Sequence, residues 1–155
     1  MNYLVAAVVG VLFLAVLGVG WVRLAPLPVE RFSARPGPYS PGTHKMPGGV
    51  KYVIPLKLLP DGALDHLTWI ALETPRSRLA HQEDDLIAIV TRTRRIGFPD
   101  ITVAWVADGN LHVHAHLVYG KNDLGQNAAR TDRWLDRLAL LATETEDDDD
   151  PLRVR

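Results

Sequence analysis

Ile101-Thr102-Val103-Ala104-Trp105-Val106-Ala107-Asp108-Gly109-Asn110-Leu111-His112-Val113-His114-Ala115-His116 decides the fold, because it reads as two alternating strands around a tight turn. If the loop is only Asp108-Gly109, Trp105 faces His112 and Val103 faces His114, which mixes apolar and polar side chains on both faces. A three-residue loop, Ala107-Asp108-Gly109, moves the pairing by one. Trp105 then faces Leu111, Val103 faces Val113 and Ile101 faces Ala115. One face becomes uniformly apolar, and the other carries Thr102, Ala104, His112 and His114. A one-residue slip exchanges the two faces, so the hydrophobic pattern predicts the three-residue loop.

Upstream, residues 86–94 form the strongest strand. Leu86-Ile87-Ala88-Ile89-Val90 is apolar on both faces, as in a central strand, and Thr91-Arg92-Thr93-Arg94 then alternates. Gly97, Pro99 and Asp100 break the pattern before the hairpin. A short strand over residues 78–80 is expected before the charged turn Glu83-Asp84-Asp85. A helix is expected from Asp61, its N-cap, with Leu64, Leu67, Ile70 and Ala71 at helical spacing and Pro75 as its limit. Residues 50–56 suit an edge strand limited by Pro55.

Downstream, Asn122 or Asp123 caps a final helix, and Asp123 with Gln126 makes a capping-box-like pair. Its buried stripe is expected at Leu124, Ala128, Thr131, Trp134, Leu135, Leu138 and Leu141. Arg130, Asp132, Arg133, Asp136 and Arg137 are expected mostly to face water. The predicted class is α+β: an antiparallel meander of four to five strands with two helices packed on one face, preceded by an N-terminal transmembrane helix.

That first helix rests on residues 3–22, twenty residues without a charge. At about 1.5 Å per residue they span about 30 Å, the thickness of a hydrocarbon core. Trp21 and Arg23 sit where interfacial residues belong. A signal peptide would carry a basic start and a shorter apolar stretch, so an anchor in the lipid bilayer is the preferred reading. Arg23, Arg31 and Arg35 follow the span and no Lys or Arg precedes it, which favours a cytoplasmic domain. A short N-terminus before one span is also how exported domains are tethered. The residues around the span leave the side of the membrane open. Residues 1–24 are then the anchor, 25–49 a Pro/Gly-rich linker holding the domain off the bilayer, 50–142 the α+β domain, and 143–155 a disordered acidic tail.

Composition restricts the chemistry. The 155 residues hold 17 Lys and Arg against 18 Asp and Glu, which argues against nucleic acid as a partner. From Glu144 onward there are six acidic and two basic residues, leaving 15 basic and 12 acidic elsewhere, a body charge of +3. There are no cysteines, which excludes disulfides, thiolate zinc sites and Cys nucleophiles. No nucleophile elbow, zincin helix or phosphate-binding glycine loop occurs, and no cofactor is expected.

Three polar features remain. Arg92 and Arg94, beside Arg95 and near Asp100, can clamp a carboxylate or phosphate if they share a strand face; the alternative is a solvated strand end with Asp100 as ion-pair partner. Asp123 and Asn127 lie where helix N–H groups hold an anion, although the carboxylate of Asp123 itself suits that place as a cap. His112, His114 and His116 project to one face, which permits metal binding, although the simpler reading is the polar face of a half-exposed strand. The candidate ligand-binding residues are therefore Arg92, Arg94, Asp100, Asp123 and Asn127.

Two stretches resemble a known family. Arg92-Thr93-Arg94-Arg95-Ile96-Gly97-Phe98-Pro99-Asp100 is similar to an R-x-R-x-x-x-F-x-D block, and Tyr119-Gly120-Lys121-Asn122-Asp123-Leu124-Gly125-Gln126-Asn127, with Arg130 and Trp134-Leu135 after it, to a G-x-S-D-x-G-x-N block. Both blocks belong to the bacterial family called domain of unknown function 1499, and the likeness covers about residues 64–141. Many members carry Ser-Arg-Ser-Arg where this chain has Ala115-His116-Leu117-Val118, and a Ser where it has Asn122. The resemblance implies membrane anchoring or export and no known reaction; with the apolar span it makes a bacterial inner membrane the expected location, single-pass, with a periplasmic domain and the cytoplasmic side left open. The functional expectation is a non-catalytic binding or envelope-associated module taking an anionic ligand or an envelope protein. The alternative is a metal-dependent hydrolase on the His112/His114/His116 face.

Overall fold

An apolar-on-both-faces strand must be covered on both sides, and the chain achieves this with different material on each. The computed structural model describes residues 2–148. Its elements are α1 (Asn2–Leu24), β1 (Gly42–Met46), β2 (Gly49–Pro55), α2 (Ala63–Leu72), β3 (Ser77–Glu83), β4 (Leu86–Arg92), β5 (Pro99–Ala107), β6 (Asn110–Leu117) and α3 (Gln126–Asp148). One antiparallel sheet runs β1-β2-β6-β5-β4-β3, so the meander β3 to β6 is extended beside β6 by the β1–β2 hairpin. The α+β class holds, with six strands rather than four to five. The additional strand, β1, falls inside the stretch read as linker, where Pro47-Gly48 turns the chain back with Gly48 at φ +68°. The helix α3 runs through residues 143–148 of the expected tail, and the remainder of that tail lies outside the described residues.

Helices α2 and α3 pack on one face over Tyr52, Ile87, Ile89, Ala104, Leu111 and Val113. Within α3, the inward stripe is rotated from the expected one at its start. Asn127, Arg130, Thr131, Trp134 and Leu138 are buried, while Leu124 is 84% exposed. Leu124 lies before the helix at φ +53°, so helical periodicity does not govern it.

The central hairpin departs from the expected register. Trp105 pairs with His112, Val103 with His114, and Ala107 with Asn110. The loop is Asp108-Gly109 alone, both left-handed at φ +49° and +72°, the backbone of a type I′ turn. The three-residue loop assumed one solvated face. That assumption fails because the second face is buried too: Leu86, Ala88, Val90, Ile101, Val103 and Trp105 are covered by Phe32 and Leu27.

Residues 25–41 are thus a strap across the sheet. Arg31 donates to the Leu117 carbonyl at 3.3 Å, and Arg35 makes a two-pronged bond to Asp85 at 2.9 and 3.0 Å. Lys51, with no solvent exposure, donates its ammonium to the Pro36 carbonyl. It also lies 4.6 Å from the Tyr39 ring centroid and 4.8 Å from that of Trp105, a cation–π setting. The strap brings α1 directly to the domain. Val22 is buried, Arg23 donates to the carbonyls of Ile96 and Arg95, and the Trp21 and Tyr119 rings lie 6.0 Å apart. A spacer holding the domain away from the helix is therefore not what residues 25–49 form. By length and composition α1 is long and apolar enough to cross a membrane, a property that a signal sequence shares.

Candidate functional site

Asp100 is the second residue of β5 and points to the helix-covered face, where it meets Arg130 from the second turn of α3. The Arg130 guanidinium donates to Asp100 Oδ2 at 3.2 Å, and only 2% of Asp100 and 7% of Arg130 are exposed. Arg130 also donates to Asn127 Oδ1, and the Asn127 N–H donates to Asp123 Oδ2 at 2.8 Å. Three expected site residues, Asp100, Asp123 and Asn127, are thus linked through Arg130, a residue the helical pattern placed in water. The Asp100 carboxylate pairs with this helix rather than with the Arg92–Arg95 cluster.

Electrostatics at the two carboxylates run in opposite directions. Burial raises the Asp100 carboxyl above its ordinary range, and Arg130 only partly offsets this. Burial also works to raise Asp123, but backbone N–H groups of Asn127 and Gly125 outweigh it and hold Asp123 below the usual value. Asp123 is the helix cap that the sequence indicated. Asp123→Ala is expected to lower stability by about 1 kcal/mol in urea titrations at pH 7, with Asp123→Asn recovering most of it. The contribution is present above the unfolded carboxyl value and is lost as pH falls through the depressed folded one.

Around this pair the arginines converge. A cleft of about 380 Å³ is lined by Arg76, Arg92, Arg94, Arg130 and Arg133, with Asp100 as its one carboxylate. Arg76, Arg92, Arg94 and Arg133 have no ion-pair partner among the described residues. Arg92 and Arg94 do not alternate along an extended strand, because β4 ends at Arg92. The Arg92 guanidinium donates to the Gly97 carbonyl at 2.8 Å and to the Val22 carbonyl at 3.4 Å, while Arg94 is exposed in the bend that follows. Arg76 and Arg133, exposed residues on separate elements, carried no signal in the sequence.

Several buried polar atoms in this region lack a protein partner: Asp100 Oδ1, Thr102 Oγ1, Asn127 Nδ2, Arg130 Nε and Thr131 Oγ1. Such atoms are costly in a finished core and are tolerated where a ligand or water completes them. Next to the cleft lies a second cavity of about 320 Å³, largely apolar, lined by Phe98, Leu117, Tyr119 and Leu124 among others.

The histidines are placed differently. His112 stacks on Trp105 at 4.9 Å with the planes 6° apart, and His114 stacks on His116 at 4.6 Å. All three lie under the strap side of the sheet, at most 9% exposed, rather than on a half-exposed face. Burial, aided by the charge of Lys51 for His114 and by His114 and Arg31 for His116, pushes both down to about 4. Among the described residues no group of three or more His, Cys, Asp or Glu side chains is placed to hold a metal ion.

The family model described as protein of unknown function (DUF1499) matches residues 38–138. The chain belongs to this family. The match opens just ahead of β1 and closes at Leu138, so every element of the sheet, and with it the arginine cleft, lies inside the DUF1499 region. Helix α1 and most of the strap precede it. No curated protein and no solved structure matches the chain.

Proposed function

We propose that this DUF1499 protein is a non-catalytic, membrane-anchored binding module whose site is the arginine cleft and whose ligand is an anion. The observation that carries this reading is a cleft lined by five arginines and one carboxylate. Arg92 is tied to the Gly97 and Val22 carbonyls and Arg130 to Asp100, leaving Arg76, Arg94 and Arg133 to meet a ligand. Guanidiniums that gather without carboxylates repel one another, and a planar fork of donors suits phosphate or carboxylate. Titrating the full chain, in an uncharged detergent, with inorganic phosphate is expected to give saturable binding that weakens with salt. The Arg94→Gln/Arg133→Gln variant is expected to bind about tenfold more weakly, the equivalent of about one charge-assisted hydrogen bond. Equal binding by the variant removes the cleft from the account.

We further infer that α1 is a retained single-pass anchor in a bacterial inner membrane. Support comes from its last turn, whose Val22 carbonyl and Arg23 side chain bond to the domain, contacts a cleaved leader would take away. We read the domain as lying on the periplasmic side. Arg23, Arg31 and Arg35, which favour the cytoplasm by charge, each have a bonding task within the fold that accounts for their presence. A C-terminal reporter active only in the cytoplasm would reverse that placement.

A further inference from the structure

Resting on that reading of the cleft, we propose that its anion is the headgroup of a membrane lipid, a phosphate carrying hydroxyl donors, with one lipid chain in the adjoining apolar cavity. Three observations combine here. First, the two cavities are neighbours: Thr93, Asp100 and Gln126 line both. Their chemistries are opposite, arginines on one side and Phe98, Leu117, Tyr119 and Leu124 on the other. An occupant of both must be an amphiphile with an anionic end.

Second, the junction asks for a particular kind of head. Asp100 Oδ1 is buried without a donor, on a residue that lines both cavities, while Oδ2 is taken by Arg130. A phosphodiester has no P–OH at neutral pH, so by itself it offers the Asp100 carboxylate only repulsion. A headgroup with a hydroxyl beside its phosphate gives the guanidiniums an anion and gives Oδ1 a donor, satisfying both demands at once.

Third, the apolar cavity opens where α1 ends. Tyr119, in its lining, is the ring beside Trp21, and Gly97, next to the lining residue Phe98, lies against the Arg23 side chain at a spacing that leaves a Cβ only 3.1 Å. Trp21 is an interfacial residue for a helix that crosses a bilayer. The strap, by folding onto the sheet instead of extending, keeps this mouth at the level of the lipid headgroups. Leu124 at 84% exposure and Ile96 at 39% are the apolar side chains that meet the bilayer there.

The test uses the full chain in an uncharged maltoside detergent, stripped of lipid. It is titrated with phosphatidylglycerol, with phosphatidylcholine of the same chains and with glycerol phosphate, and bound species are counted by native mass spectrometry. Phosphatidylglycerol is expected to bind at least tenfold more tightly than glycerol phosphate, since each buried methylene is worth about fourfold. It is also expected to bind at least tenfold more tightly than phosphatidylcholine, whose quaternary ammonium brings a positive charge to the arginines and no hydroxyl to Asp100. Arg94→Gln/Arg133→Gln is expected to abolish the preference over phosphatidylcholine. Leu124→Asn, a substitution suited to the positive φ at that position, is expected to narrow the gap between lipid and glycerol phosphate. Equal binding of the two lipids overturns the proposal. If glycerol phosphate matches phosphatidylglycerol and Leu124→Asn changes nothing, the cleft holds a free anion: the lipid inference falls and the anion reading stands. If no anionic probe binds, both fall.

Discussion

Lowering the pH from 7 to about 4 is expected to remove on the order of 5 kcal/mol of stability through His114 and His116 alone. In the unfolded chain these imidazoles take up protons near 6.5, whereas in the fold burial and neighbouring positive charge hold both down to about 4. A base depressed on folding leaves the unfolded state holding more protons between those two values. Stability is therefore fully present above 6.5 and drains away as the pH falls through the window to about 4. One pH unit of difference is worth about 1.4 kcal/mol, so each ring accounts for about 3 kcal/mol, somewhat less for the pair because the two rings influence each other. Against a typical domain stability of about 5–15 kcal/mol that is enough to unfold the protein. Urea midpoints of the full chain at pH 7, 6, 5 and 4.5 test it, beside His114→Phe/His116→Phe, which keeps a stacked ring pair and removes the titration. The variant is expected to show a much flatter profile. An identical pH slope in both proteins would place the acid sensitivity elsewhere.

The same two histidines show what the sequence could and could not convey. Alternation in β6 correctly put His112, His114 and His116 on one face, but alternation alone cannot say whether that face meets water. Its cover is a proline-rich stretch with no periodicity, in which Phe32, Pro36 and Tyr39 act as isolated contacts. Because that cover leaves no periodic signature, apolar matching does not govern the hairpin, and the local preference of Asp108-Gly109 for two left-handed residues sets the register. Lys51 was unreadable for the same reason: a charged residue in a strand signals an exposed face, yet here the ammonium is closed in by two rings and a carbonyl.

At the candidate site the local signals read well and the convergent ones did not. The capping role of Asp123 follows from three neighbouring residues, and two backbone N–H groups bond its carboxylate. The cleft, by contrast, draws arginines from the turn after α2, the end of β4 and two turns of α3, which only the folded chain brings together. Arg130 is the instructive residue. Its spacing from Asn127 and Trp134 places it on the inner stripe, but a charge on a helix is ordinarily assigned to water, and the buried carboxylate that reverses the assignment is 30 residues earlier in the chain.

That pairing leads to the second large effect. Arg130→Met is expected to destabilise the protein by about 3–5 kcal/mol at pH 7, because it leaves Asp100 buried with no cation against it. The cost belongs mainly to the orphaned carboxylate rather than to the lost bond, which gives it a signature. Asp100 already binds its proton more readily in the fold than in the unfolded chain. A carboxyl raised on folding weakens the native state at neutral pH and ceases to do so as the pH falls through the raised value. The difference between Arg130→Met and the wild-type protein should therefore shrink on acidification, even while both lose the histidine contribution. The double variant Asp100→Asn/Arg130→Met should regain more than half of the loss at pH 7, since two removed charges cost less than one stranded charge. Urea titrations of the four proteins of this cycle at pH 7 and pH 5 provide the measurement. If the single losses simply add, or if the Arg130→Met deficit is independent of pH, the Asp100–Arg130 contact is not the coupled buried pair at the head of the cleft.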